Sequence, residues 1–326
     1  MARLANWENQ VGRRLRLRDL HVLYMVVQHG SMAKAAGELG ISQPAVSDVI
    51  ANLEHALGVR LLDRGPQGVE PTMYGRALVK RSLAAFDELK QGIRDIEFLA
   101  DPTAGEVRIA CLPVFTATIL PQVVERFVRQ YSRAVVHQDD VTFLAGQFSG
   151  LRERKYDLTL SRLLRPLTHE EDDLNAEVLF NDRMVLTAGM HTRWARRRKV
   201  NLAELIDEPW LLTAPDTWNY QRVMEAFQAR ELPMPKASVV TLSPPLRAHL
   251  VANGPYISPF ITSSLRLLDT DRYPIKVLPV DLPDRTAMIA IVTLKNRTLS
   301  PVVERFIEHI RDFTKLMRAT ETTRPR

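Results

Sequence analysis

The chain has 326 residues, of which 45% are hydrophobic, and carries a net charge of +6 at pH 7. That length exceeds one compact core and suits two or three domains, while a single cysteine excludes an intramolecular disulfide. No apolar run approaches a membrane span, and Met1 to Leu20 is basic and polar without the apolar stretch of a signal peptide, so a soluble, cytoplasmic protein with no membrane partner is expected.

Residues 1–15 read as a basic extension, in which Arg13 and Arg14 lead into Arg16 and Arg18, and residues 1–81 hold 11 Lys/Arg against 7 Asp/Glu. The surplus suits a polyanion, although a solvated tail explains the first dozen residues equally well. From residue 31 the pattern sharpens. Ser31 is a good N-cap, and Ala35, Ala36 and Leu39 share a helical face whose small alanines admit a close neighbour. Gly40 ends this helix, Ile41 fills the turn, and Ser42 caps a second helix with Pro44 in its first turn, where a missing N–H costs nothing. Val46, Ile50, Leu53 and Leu57 form its buried face. Gln43, Ala45, Ser47, Asp48 and Asn52 form the opposite one, small and polar enough to lie in a DNA major groove. Gly58 closes the helix, and Asp63 to Thr72 is predicted to be a hairpin wing whose Arg64 reaches a phosphate. An ordinary helical hairpin in a globular core shares much of so loose a pattern.

The order of residues is more specific than the pattern. Leu20 and Leu23 precede Gly30-Ser31, then Ala35-Ala36, Ser42-Gln43-Pro44-Ala45-Val46-Ser47, Leu53-Glu54, Leu57-Gly58, Arg64, and Thr72 with Gly75. In this the segment resembles the N-terminal domain of LysR-type transcriptional regulators. The resemblance implies an all-α winged helix-turn-helix over 16–75 that binds operator DNA. Ser31, Lys34 and Arg64 would hold phosphates, Gln43, Pro44, Ser47 and Asp48 would meet bases, and Ser42 and Ala45 would complete the contact. Two positions depart from the family. Asp48 stands where a glutamine or a basic residue is frequent; it can accept from a cytosine amine but repels phosphate. Leu61-Leu62 replaces a preferred phenylalanine, a core exchange of small cost.

From Thr72 to about Ala100, Val79, Phe86, Leu89, Ile93, Ile96 and Ala100 recur at a and d spacing, which predicts one long helix with a narrow apolar seam. A single-chain bundle would also bury that seam. The resemblance implies instead a linker helix over 76–102 that pairs with its twin, giving a dimer or tetramer suited to a two-fold symmetric operator. Asp101 to Gly105 ends the helix as a hinge.

Beyond the hinge, short apolar strands at 107–111, 135–136 and 158–160 alternate with a helix at 120–131 and a helix ending near 155. A second run has strands at 184–187 and 210–213, a helix at 220–230 and a segment at 248–257. Such alternation predicts a parallel sheet covered by helices. The strand at 288–293 and the helix at 301–316 are expected to return to the first lobe. The outline resembles the two-lobed, periplasmic-binding-protein-like α/β effector domain of the same family, here over 103–326. Lobe I would take about 105–180 and 280–326, and lobe II about 181–279.

In that domain a small ligand sits between the lobes, where strand C-termini and helix N-termini converge. The resemblance puts Leu112 and Pro113 at the end of the first strand, Thr116 at the opening of the next helix, and Arg162 at the end of a later strand. Lobe II would contribute Pro215 and Thr217 at a helix start, and Ser258 and Phe260 after a strand. Leu112 replaces a frequent serine or threonine, and Phe115, Trp218, Tyr220 and Phe260 lie nearby in sequence. An aromatic or otherwise apolar effector is therefore expected, with a carboxylate held by Arg162, although each aromatic alone is better explained by the core.

The signatures of nucleotide-binding, nucleophilic and zinc enzymes are missing, so no catalytic residue, cofactor or metal is assigned. His169 to Asp173 reads as a solvated acidic run, Arg193 to Lys199 as a solvated basic loop, and Cys111 as a buried thiol without a resolving partner. The competing classes are an enzyme or a small-molecule-binding protein with the same two-lobed body. RNA polymerase is a further partner if the chain activates transcription.

Overall fold

The computed structural model describes residues 15–65, 68–141 and 148–322, with side chains through 317. Two sequence expectations, Arg13-Arg14 and the wing tip Pro66-Gln67, lie outside the described residues. The chain divides into two compact units, Met1–Ile93 and Arg94–Arg326.

In the first unit the cap residues set the elements. α1 (Leu17–His29) leads to α2 (Met32–Leu39), capped by Ser31, and to α3 (Gln43–Leu57), capped by Ser42. The turn between α2 and α3 needs a left-handed residue, and Gly40 supplies it at φ 64°. Val22, Leu23 and Val26 close one core with Ala35, Ala36, Val46, Ile50 and Leu53. Leu39 and Leu57 pack against its edge. β1 (Leu62–Gly65) and β2 (Gly68–Pro71) form the antiparallel wing, with Arg64 opposite Val69. Glu54 fastens the wing to α3: its Oε1 accepts from Leu61 N at 2.7 Å and Leu62 N at 3.2 Å. Thr72 Oγ1 donates to Arg60 O at 2.8 Å and accepts from Gly75 N at 3.1 Å. A Cβ at Gly75 would stand 2.1 Å from Leu61 O, so only glycine lets α4 (Met73–Ala100) pass so close.

The second unit is built on β3 (Ala104–Cys111), parallel to β4 (Arg133–Asp140) on one side and β5 (Leu158–Leu163) on the other. The connections are α5 (Pro113–Thr116), α6 (Ile119–Gln130) and α7 (Ser149–Arg152). β6 (Leu174–Gly189) crosses both lobes. Its first part, to Arg183, pairs with β11 (Thr286–Leu294), and from Met184 its partner is β9 (Ser258–Ile261), so the lobes divide at this exchange. β10 (Ile275–Val277) pairs with the end of β6, and the sheet order is β10-β6-β11-β5-β3-β4.

The expected parallel pairing holds for β3 with β4 and β5, but the sheet as a whole is mixed, because β11 runs antiparallel to both β5 and β6, and β9 and β10 run antiparallel to β6. The chain reaches β11 by returning from the other lobe rather than through a helical crossover, so nothing imposes parallel pairing. Lobe II adds β7 (Trp210–Leu212) parallel to β8 (Ala237–Val240), with α8 (Trp218–Gln228), α9 (Pro244–Asn253) and α10 (Thr262–Leu267). α11 (Pro301–Thr322) buries Val303, Phe306 and Ile310 in the core containing Val107 and Phe127 of lobe I. Among the described residues no helix is long and apolar enough to cross a membrane.

Candidate functional site

The first candidate surface is the N-terminal half of α3 with its flanking caps. Ser31 Oγ accepts from Lys34 N at 3.4 Å and Ser42 Oγ from Ala45 N at 3.3 Å, which leaves each O–H able to donate outward. Lys34, Ser42, Gln43, Pro44 and Asp48 are exposed, as is Arg64 on the wing. Ser31, Ala45 and Ser47 are half-buried, and Ser47 Oγ donates to Met32 Sδ at 3.5 Å. The partial positive charge at the start of a helix favours anions beside these caps.

The second is a cleft in the second unit, enclosing about 740 Å³ with its open mouth included. Of the expected residues, Leu112, Pro113, Arg162 and Thr217 line it; Trp218, Thr213, Asp216, Asn219 and Arg247 join them. The other four expectations are not among its lining residues. Thr116 ends α5 instead of opening it, and its Oγ1 donates to Asp140 Oδ1 at 2.8 Å. Ser258 and Phe260 lie within β9 rather than after it. Pairing with β6 buries them, and Ser258 Oγ donates to Leu211 O at 3.2 Å. The carbonyl of Pro215 accepts from Gln221 Nε2 at 2.6 Å, outside the cleft wall. The hydroxyl of Thr217 is engaged in capping α8, accepting from Tyr220 N at 3.4 Å and donating to Ala214 O at 2.6 Å.

Arg162 is 8% exposed, with its guanidinium carbon 4.9 Å from the centre of the Trp218 ring. Burial lowers it to about 10, opposed by the nearby Asp182 carboxylate, so it stays cationic at neutral pH. Sequence reasoning missed Arg247, which is 4% exposed and stacked 4.9 Å from the Phe260 ring. Burial and then the Arg162 charge lower it also to about 10. The only sequence signal was its place one turn past the Ser243 cap of α9, which many surface arginines share.

Cys111 is buried beside Thr116 Oγ1 at 3.2 Å, and burial pushes its thiol up to about 11. Thr168 and Glu171 form a capping box around His169–Glu171, and no group of metal-ligating side chains occurs among the described residues. In the basic loop, Arg197 pairs with Glu204 at 2.8 Å and Arg193 with Glu208.

Residues 17–76 match the family model described as bacterial regulatory helix-turn-helix protein, lysR family, and residues 100–315 match the LysR substrate binding domain. The HTH-type transcriptional regulator YdcI of Escherichia coli is 27% identical over 301 residues, covering 91% of this chain and 95% of that protein. GbpR of Azospirillum brasilense, also an HTH-type transcriptional regulator, is 25% identical over 325 residues, covering 98% and 93%. A full-length OxyR variant from Pseudomonas aeruginosa shares the fold with a TM-score of 0.63 at 20% identity, covering 93% of this chain and 95% of that one.

Proposed function

The chain belongs to the LysR family of bacterial transcriptional regulators, and we propose from that membership that it binds operator DNA through α3 and the wing and responds to a small molecule in its cleft. α3 enters the major groove by its N-terminal half, with Gln43, Pro44, Ala45, Ser47 and Asp48 against base edges. Ser31, Lys34, Ser42 and Arg64 grip phosphates around it. One observation carries this reading above others: the first turns of α3 and the wing arginine reach the surface of a core that Val46, Ile50 and Leu53 close from the other face.

Residues 16–75 serve as the DNA-binding domain, 76–102 as the dimerisation helix and 103–326 as the effector domain. Leu89, Ile93 and Ile96 on α4 are exposed, which supports a seam for a twin helix in a dimer or tetramer. The effector is a small molecule with an apolar or aromatic body, since Leu112 and Trp218 line the cleft, and with a carboxylate toward Arg162. The protein acts in the cytoplasm, catalyses no reaction, and contacts RNA polymerase if it activates.

Selection of bound fragments of the source genome by the purified protein tests the reading. Enrichment of a dyad-symmetric site that survives salt competition is expected. Recovery no better than random DNA would overturn it, in favour of an enzyme or a binding protein whose helical hairpin mimics the motif.

A further inference from the structure

The two buried arginines of the cleft come from different lobes: Arg162 from the end of β5 in lobe I, Arg247 from α9 in lobe II. Each guanidinium has one face covered, by Trp218 and by Phe260. Among the described residues the Arg162 guanidinium makes no hydrogen bond. The Arg247 guanidinium makes one, from Nη1 to Pro259 O at 2.8 Å, and among the described residues both Nε atoms lack a partner. Buried cations with so many unused donors are costly unless an acceptor arrives.

The charges around them do not balance. Asp182 acts on Arg162, but its oxygens already accept from Arg183 N at 2.9 Å, from Ser263 N at 3.2 Å and from Ser263 Oγ. The charge that acts on Arg247 is that of Arg162, so one buried carboxylate beside two buried cations leaves one positive charge in the cleft walls. Asp216 is exposed at the lining, where water screens it. Asn219, 7% exposed, adds a further unpartnered polar atom, Oδ1, while Leu112, Leu242 and Ile261 make the rest of the wall apolar.

Resting on the regulator reading above, we propose that Arg247 is the principal anion anchor of the cleft and that its ligand is a small organic monocarboxylate, shared between Arg247 and Arg162 with its apolar body against Leu112, Leu242 and Ile261. A carboxylate between the guanidiniums replaces repulsion across the lobes by attraction to both, so binding draws the lobes together. A doubly charged ligand would exceed the single surplus charge. A neutral one would leave both sets of N–H donors unmet.

Thermal unfolding and calorimetric titration of the full chain with acetate, hexanoate and benzoate, each beside its neutral amide, test this. At least one of the acids should raise the unfolding midpoint and its amide should not. Arg247→Met should weaken binding of that acid at least about 30-fold, as expected when one partner of a buried charged contact is removed. Arg247→Lys keeps the charge but loses the planar fork, so intermediate affinity is expected, and it stands in if the methionine variant does not fold. Amides protecting as well as acids, all three acids failing to protect, or unchanged affinity in a folded Arg247 variant would overturn the proposal. DNA selection on the wild-type preparation separates the two failures: a recovered dyad with an indifferent cleft sinks only the monocarboxylate, whereas no dyad sinks the regulator reading.

Discussion

The polar residues of the two units solve opposite problems. Lys34, Gln43, Asp48 and Arg64 stand in water, on a core made by other residues. Arg162, Asp182, Arg247, Asp157 and Arg297 are buried in the second unit, where each charge needs a partner or becomes a liability. Recognition and stability are therefore separable in the first unit and entangled in the second.

The largest effects should fall where the entanglement is greatest. The side chains of Asp157 and Arg297 are each 1% exposed and pair at 2.9 Å, with Arg94 at 3.4 Å and Arg108 N at 2.8 Å also on the carboxylate. Arg297→Met is expected to cost about 3–5 kcal/mol, the usual consequence of stripping one partner from a buried pair. Denaturant unfolding of the second unit checks it, and a loss under 1 kcal/mol (about the size of a surface pair) would erase the contrast. Leu53→Ala removes a side chain 1% exposed at the centre of the first core. A loss of about 2–5 kcal/mol is expected there, together with loss of operator binding, while carboxylate binding by the cleft persists. Parallel loss of both activities would show that the units do not behave separately.

Smaller changes test separability within the first unit. Arg64→Ala should leave its stability unchanged, weaken binding to all DNA sequences alike, and reduce the salt slope by about 1. Ser47→Ala should instead relax base preference by about 1–3 kcal/mol between operator and single-mismatch sites, in fluorescence anisotropy at fixed salt. Equal losses on specific and random DNA for both variants would contradict the division between phosphate and base contacts.

The same contrast explains what the sequence disclosed. Caps act over three residues and core periodicity over three or four, so Ser31, Ser42, Ala35, Ala36, Val46, Ile50 and Leu53 were legible one by one. Glu54 and Thr72 were visible only as members of a motif; their reason, hydrogen bonds to Leu61 N, Leu62 N, Arg60 O and Gly75 N, depends on how the wing folds back. In the second unit, alternation located most strands but could not give their direction, because β11 owes its antiparallel pairing to the return from lobe II. Arg162 could be placed at a strand end, but Arg247 meets it only across the cleft, and no local pattern marks an arginine that a distant lobe will bury. Ser258 and Phe260, expected after a strand, lie within β9 itself, and the apolar run before them does not show that the strand starts at Ser258.

Cys111 gives the smallest effect and the sharpest sign. Burial raises its thiol from the ordinary 9.0 to about 11, with Asp140 adding to the rise and the Thr116 and Gln138 hydrogen bonds opposing it. The folded state thus holds the proton to higher pH than the unfolded chain does. Below pH 9 both states carry it, so the group's contribution is fully present and independent of pH; from there it is lost as pH rises through about 11, because the unfolded state gains the thiolate first. Unfolding free energy should fall with pH in that alkaline window, and Cys111→Ala should flatten the fall while behaving like the parent protein's pH profile near neutrality. Iodoacetamide at a mildly alkaline pH, below the ordinary thiol value of 9.0, should alkylate Cys111 only as the second unit opens. Alkylation at the rate of an exposed thiol would mean that burial in this unit does not suppress charge, and would weaken the same inference for Arg162 and Arg247.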